Sequence, residues 1–268
     1  MSLKLGVRER THLGFKGYTV LCYLFLYVPV VLLAAFSFNK STAGTLPFTG
    51  FTLDWYRDLF GDYLVIDAFK TSLLVAAMTA VISTILGTAA AFPLARGRFR
   101  FKEQIRVLYL LPMMLPGLLI GIALLIFFSS LVHVELSLWT VVIGHVVFTS
   151  PFVILVVTAR LQDFDHTLEW AAADLGAKPL QTLRLITLPI ILPGVIAGAL
   201  FAFTLSLDEY VITLFTIGPQ TTLPMYVFSQ VKFGITPKVN ALATLLLLGS
   251  VALLFAVFVA LSSKPARS

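Results

Sequence analysis

Six stretches of this 268-residue chain stay apolar for about 20 residues or more, the length needed to cross the hydrocarbon core of a bilayer. They lie near residues 18–38, 70–95, 105–128, 138–159, 191–216 and 239–262. In lipid a backbone must satisfy its own N–H and C=O groups, and a single segment does so only as a helix. The sequence therefore predicts an all-α integral membrane protein, with a six-helix domain over 18–262 between short tails at 1–17 and 263–268. With 12% charged residues the chain carries about half the charge of an ordinary soluble domain. Pro29, Pro112, Pro116 and Pro151 fall inside the stretches, and each frees a carbonyl and permits a bend.

The basic residues are sorted between the two faces. Lys4, Arg8, Arg10 and Lys16 precede the first stretch; Arg96, Arg98, Arg100, Lys102 and Arg106 separate the second and third. Arg160, Lys178 and Arg184 follow the fourth, and Lys264 and Arg267 the sixth, so that one face holds 14 of the 19 Lys and Arg residues. The positive-inside rule then predicts that both termini and the loop between the fourth and fifth spans are cytoplasmic. That sorting explains the net charge of +6 as membrane orientation, with no nucleic acid as partner. The single cysteine, Cys22, lies in an apolar run, so no disulfide framework or thiolate metal cluster is expected within the chain. The sequence shows no P-loop, dinucleotide fingerprint or Cys/His metal spacing, and no cofactor or metal bound by this chain is expected. The first stretch lacks a small-residue cleavage site and reads as a retained span, not a signal peptide.

Between the fourth and fifth spans the chain turns polar over Leu168–Pro189, LEWAAADLGAKPLQTLRLITLP. Glu169–Leu175 is rich in Ala and Leu, good helix formers; Gly176 and Lys178-Pro179 stop that helix. A second helix is expected over Leu180–Leu188, closed by Pro189. Two short helices about a sharp turn make a rigid knob outside the bilayer, suited to being gripped by another protein. The spacing Ala171-Ala172, three residues, Gly176, nine residues, Ile186, Thr187, Leu188-Pro189 resembles the EAA loop of permease subunits in ATP-binding-cassette (ABC) importers. Where that family has Glu before the Ala pair, this chain has Trp170, with the acid one place earlier at Glu169 and about 100° further round the helix. The resemblance implies a coupling loop over 160–190 in which Glu169, Trp170, Ala171, Ala172, Asp174, Leu175, Gly176 and Ala177 couple to an ATPase subunit.

The fifth span carries an acidic pair in Ser206-Leu-Asp208-Glu209-Tyr210. Counted from Pro193, Asp208 stands about 22 Å along the helix, where an acid costs a few kcal/mol unless it pairs, protonates or faces water. Adjacent helical residues diverge by about 100°, so the two acids serve different ends. Either one of them lines a water-filled vestibule for a cationic solute, with Ser206 and Tyr210 beside it, or one caps a neighbouring helix or pairs with a basic residue of a partner subunit. His145, inside the fourth span, is either a functional group or a neutral imidazole bonded to a neighbouring helix. Gly87 and Ala89–Ala91 in the second span, and Gly194 and Ala197–Ala199 in the fifth, let helix backbones approach, within the chain or at a subunit interface. In the first outer loop, Phe51, Trp55, Leu59 and Phe60 fall at helical spacing opposite Asp54, Arg57 and Asp58. That pattern reads as a helix lying at the membrane surface or as a docking surface for an external partner.

Leu205-Ser-Leu-Asp-Glu209, Thr216-Ile-Gly-Pro219, Leu223-Pro224, Ile235-Thr-Pro-Lys-Val-Asn-Ala-Leu-Ala-Thr244 and Asp54-Trp-Tyr56 look like the second permease subunit of spermidine/putrescine-type importers. Where such relatives often carry an acid after the proline at 116, this chain has Gly117. The resemblance implies a subunit of the bacterial inner membrane that forms half of the path for a small cationic or zwitterionic, polyamine-like solute. Its implied partners are a second permease subunit, an ATPase dimer that holds ATP and Mg, an external solute-binding protein and the surrounding lipid. Related importers take opines, 4-aminobutyrate or aminophosphonates. A proton-coupled secondary transporter, by contrast, would relay protons through Asp208, Glu209 and His145. An intramembrane enzyme needs a nucleophile–base or metal constellation, and none is evident in the sequence.

Overall fold

The computed structural model describes residues 3–42, 46–234 and 236–262; the expected tail at 263–268 lies outside them. Among the described residues the regular structure is helical, apart from one isolated bridge between Asn39 and Phe51. The helices are α1 Leu3–Phe36, α2 Asp54–Gly61, α3 Tyr63–Arg96, α4 Lys102–Met114, α5 Gly117–Ile126 and α6 Leu138–Gln162. There follow α7 Thr167–Asp174, α8 Pro179–Thr182, α9 Leu188–Asp208, α10 Val211–Thr216, α11 Leu223–Phe233 and α12 Pro237–Ser262.

Four segments are long and apolar enough to cross a membrane: Lys16–Phe36, Tyr63–Arg96, Leu138–Gln162 and Pro179–Asp208. They correspond to the first, second, fourth and fifth expected spans. The third is not one rod. Lys102–Met114 and Gly117–Leu131 meet at an angle of 103°, because Pro116 removes a donor and drives Leu115 into extended conformation (φ −84°, ψ 138°). The sixth expected span falls on α12, helical for 26 residues and apolar over Pro237–Ala252.

The segment before the first span is helical from Leu3. Two expectations need correction. Pro189 does not close a loop helix: α8 runs through a wider π-type turn, Leu183–Thr187, directly into α9. That turn shifts the backbone register just ahead of the proline and spares the clash its ring makes with the carbonyl four residues back. The fifth span stops early, because the backbone leaves the helix at Glu209 (φ −72°, ψ 115°) and restarts at Val211.

The chain divides into two compact units, residues 1–63 with 227–268, and residues 64–226. In the first, α1 and α2 both pack on α12. Asn39 organises the loop between α1 and α2, its Oδ1 accepting from the amides of Ser41 (3.1 Å) and Thr49 (3.0 Å). The Trp55 indole donates to the Asn39 carbonyl at 2.8 Å, and Tyr56 meets Ser37 at 2.6 Å. Leu59 is buried, and Lys238 pairs with Asp62. The expected apolar face of α2 is thereby split: Trp55 and Leu59 turn into the chain, while Phe51 and Phe60 stay exposed.

In the second unit α6 is the central rod. Ala80 and Ala91 of α3, Val153, Val157 and Leu161 of α6, and Ile191 and Ala202 of α9 form one buried cluster. Small residues permit the approach. A Cβ on Gly87 would lie 2.7 Å from that of Val153, and one on Gly198 only 3.2 Å from the same side chain. Both glycines of the expected small-residue runs therefore bring helices within one chain together. Ser83 and Thr149 add a buried hydroxyl contact of 2.8 Å between α3 and α6.

Candidate coupling loop and solute path

The loop after α6 is built by local rules. Asp165 Oδ1 accepts from the Thr167 amide (2.9 Å) and hydroxyl (2.8 Å), which starts α7. Those two bonds, the amide first, hold the Asp165 carboxyl below its ordinary range. α7 ends in a Schellman turn: the Gly176 amide donates to Ala173 O at 2.9 Å and the Ala177 amide to Ala172 O at 3.0 Å. Gly176 takes φ +83°, which a glycine adopts without strain. Lys178 is extended ahead of Pro179 (ψ 153°), and Pro179 opens α8, where its missing N–H is no loss.

Glu169, on the first turn of α7, faces into its own chain. Arg96 Nη1, at the end of α3, lies 2.9 and 3.0 Å from the two carboxylate oxygens. The Thr187 hydroxyl donates to Oε1, and His166 Nδ1 stands 3.3 Å from Oε2. Partial burial pushes this carboxyl up, but Thr187, Arg96 and His166 together outweigh that and hold it below the usual range. The guanidinium carbon lies 5.5 Å from the centre of the Phe92 ring and 5.1 Å from that of Phe164, within cation–π range of both. A cavity of about 320 Å³ lies behind the loop, bordered by Phe92, Arg96, Glu169, Ala177 and Thr187. On the outer side Trp170 is 67%, Leu175 89% and Leu180 74% exposed.

Two helix breaks adjoin elsewhere in the same unit. α4 gives way to α5 at Leu115-Pro116, and α9 to α10 at Glu209-Tyr210. α5 packs along α10, and a side chain at Gly117 would begin 3.9 Å from the Glu209 carboxylate. Irregular backbone at membrane depth survives only where protein buries it or where it lines a water-filled cavity.

The break divides the acidic pair. Glu209 Oε1 accepts the Ile212 amide at 2.9 Å, so this acid caps the N-terminus of α10, where the helix dipole favours negative charge. Asp208 closes α9, at the dipole's unfavourable end. It is exposed, and no hydrogen bond or ion pair holds it among the described residues. Behind the break His145 is buried, its Nδ1 2.7 Å from Ser206 Oγ and its Nε2 2.8 Å from Thr213 Oγ1.

A family model described as "Binding-protein-dependent transport system inner membrane component" matches residues 83–264. The chain belongs to that family. Among the relatives of this inner membrane component is the putrescine transport system permease protein PotI of Escherichia coli, 42% identical over 235 residues, covering 85% of this chain and 83% of the relative. Another is the spermidine/putrescine transport system permease protein PotC of Haemophilus influenzae, 39% identical over 239 residues, covering 89% and 92%. In fold, the inner membrane component is similar to a chain of a bacterial ABC transporter involved in the import of the acidic polysaccharide alginate. The TM-score is 0.70 at 15% identity, over 95% of this chain and 96% of the other.

Of the coupling residues read from the sequence of this inner membrane component, Trp170, Ala171, Asp174, Leu175 and Gly176 are exposed, Glu169 and Ala177 half-buried, and Ala172 buried. Ala172 and Glu169 thus belong to the inner side of the loop. Of the path residues, Asp208 is exposed, Glu209 and Tyr210 half-buried, and Ser206 buried against His145. Sequence reasoning passed over Arg96, Thr187 and Thr213. Arg96 carried a signal as the cation directly after the second apolar stretch; the two threonines carried none.

Proposed function

We propose that this inner membrane component is one permease subunit of an ATP-driven importer for a small cationic, polyamine-like solute. The observation that carries the reading is Asp208: an acid with no partner among the described residues, at the end of a broken helix and beside a second break. Such a carboxylate is held at a cost, and a passing ammonium group offsets that cost only while it is present. The putrescine and spermidine/putrescine permeases among the relatives support the same solute class. Among the described residues, both ring nitrogens of His145 are bonded to hydroxyls and neither to a carboxylate, which speaks against a proton relay through it.

In this reading a second permease completes the path, an external solute-binding protein delivers the solute, and ATP with Mg sits in two partner ATPase subunits. Both termini and the 160–190 loop lie on the cytoplasmic face of the inner membrane in this reading, which the sorting of the basic residues supports. Trp170, Leu175 and Leu180 seat in an ATPase subunit, and closure of the ATPase pair moves α7. Glu169 passes that motion to α3 through Arg96 and to the start of α9 through Thr187. Nucleotide must favour one arrangement over the other for the spans to shift. The test is ATP-dependent putrescine uptake by the reconstituted complex. Uptake abolished by vanadate and reduced by Asp208→Asn supports the reading; uptake driven by a proton gradient without ATP overturns it.

A further inference from the structure

We propose that His145 is the positioning residue of the solute path, a single imidazole on α6 that staples the two sides of the α9–α10 break and so sets where Asp208 stands. The proposal rests on the reading of Asp208 as a path residue.

The hydrogen bonds have a direction. Thr213 Oγ1 donates its one hydrogen to the Glu209 carbonyl at 2.8 Å. Its contact with His145 Nε2, also 2.8 Å, must then be made by the ring's N–H, so Nε2 carries the proton. Nδ1 is left as the acceptor, and the Ser206 hydroxyl donates to it at 2.7 Å. A one-way chain results, from Ser206 through the ring to Thr213 and on to the Glu209 carbonyl. It starts in the last turn of α9, two residues before Asp208, crosses α6 and ends on the backbone of the break.

The surroundings make that chain decisive for local geometry. His145, Ser206 and Thr213 are 1%, 3% and 0% exposed, so water does not replace a lost bond and each orphaned hydroxyl stays unsatisfied. α10 has six residues, too few to hold an orientation by its own helical bonds. Beside His145, Gly144 brings α6 so close that a Cβ there would lie 3.0 Å from Ile212 of α10 and 3.1 Å from Leu124 of α5. That approach is what lets one ring reach both sides of the break. An imidazole is also the side chain that sets a donor and an acceptor on opposite edges of one rigid ring; Asn keeps the Ser206 arm and loses the other.

The test uses the full complex in proteoliposomes. In a Cys22→Ser background, Asp208→Cys is labelled with a cationic methanethiosulfonate, with His145 intact or replaced by Leu. In parallel, putrescine uptake is measured with Asp208 present and His145 intact, His145→Leu or His145→Asn. The expected result is a labelling rate altered severalfold by His145→Leu. The KM for putrescine rises about tenfold, the net worth of one or two hydrogen bonds, with kcat little changed and partial recovery in His145→Asn. Unchanged labelling and unchanged KM in an assembled His145→Leu complex overturn the proposal. If that variant does not assemble, Ser206→Ala and Thr213→Val each remove one arm and must reproduce the labelling change; no change in either overturns it. Failure of the intact complex to carry putrescine counts against the solute reading alone, since labelling at position 208 reads the staple with no solute present.

Discussion

Arg96 Nη1 bridges both carboxylate oxygens of Glu169, at 2.9 and 3.0 Å, across 73 residues of chain. Glu169, two places before the Ala pair, therefore links parts of the permease to one another and is only partly exposed. With Thr187 donating to the same carboxylate, one side chain on α7 joins the end of α3 to the turn that leads into α9. In the proposed coupling, a push on the loop would reach two spans at once.

Removing one member of that link strands the other. The side chains are 27% and 19% exposed, so the cost is expected at about 1–3 kcal/mol, the range for a hydrogen-bonding group left unsatisfied, and below that of a fully buried pair. Glu169→Gln and Arg96→Gln should each lower the thermal stability of the purified complex. The double variant should lose clearly less than the two single losses added together, as contacting residues do. Simple additivity in a double-mutant cycle counts against the link.

The depressed pKa of Glu169 has a sign that can be checked. A carboxyl held below its unfolded value stabilises the native state fully above that unfolded value, about 4.3. The contribution is then lost as pH falls through the lower, folded pKa. Melting temperature followed downward from about pH 6 should drop more steeply in wild type than in Glu169→Gln, with the difference confined to the acid side of that value. Parallel curves count against the assignment.

Much of this arrangement is legible in the sequence. Apolar length shows the helices, because lipid leaves the backbone no alternative. The Schellman turn at Gly176 follows from a glycine and a nearby proline. The bend at Pro116 is readable as possible, though its 103° angle depends on what packs around it. Pro189 misleads, since a π-type turn absorbs it, and that choice is made by tertiary packing of Thr182 and Thr187, both buried. The split between Asp208 and Glu209 is half legible: the 100° divergence says that they differ, but which acid caps α10 depends on where the helix breaks.

The packing around α6 yields a stability prediction with an internal control. Gly87→Ala places a methyl 2.7 Å from the Val153 Cβ, so the helices must separate, at about 1–3 kcal/mol for an overpacked site. Gly249→Ala meets nothing within 4 Å and replaces a poor helix former with the best one. Unfolding of the purified protein should show a clear loss for Gly87→Ala and none for Gly249→Ala. Equal behaviour of the two contradicts the close approach of α3 and α6.

The exposed face of the loop predicts how it is held. Trp170, Leu175 and Leu180 present a larger apolar area than the exposed Asp174 beside them offers charge, so docking carried by their burial should depend little on salt, unlike an exposed ion pair. Trp170→Ala is expected to weaken ATPase binding about thirtyfold, the about 2 kcal/mol of an aromatic hot spot, while leaving the melting temperature of the isolated permease unchanged. Binding measured from low to high ionic strength provides the check. A steep loss with salt in the wild type contradicts apolar docking.

The two adjacent acids should separate in a transport assay. Asp208→Asn removes charge from a group with no partner among the described residues, so the fold should tolerate it. Putrescine uptake should fall about tenfold to a hundredfold, the worth of one charge-assisted contact. Glu209→Gln keeps an oxygen that accepts the Ile212 amide, so the cap persists and uptake changes little. Glu209→Ala removes the cap and should cost about 1 kcal/mol of stability. An isosteric neutral solute of similar length distinguishes charge recognition from general damage: Asp208→Asn should narrow the preference for the cation over the neutral analogue, and Glu209→Ala should leave it unchanged. A preference lost equally in both variants shows that the acids act together and defeats the division of labour that the break imposes.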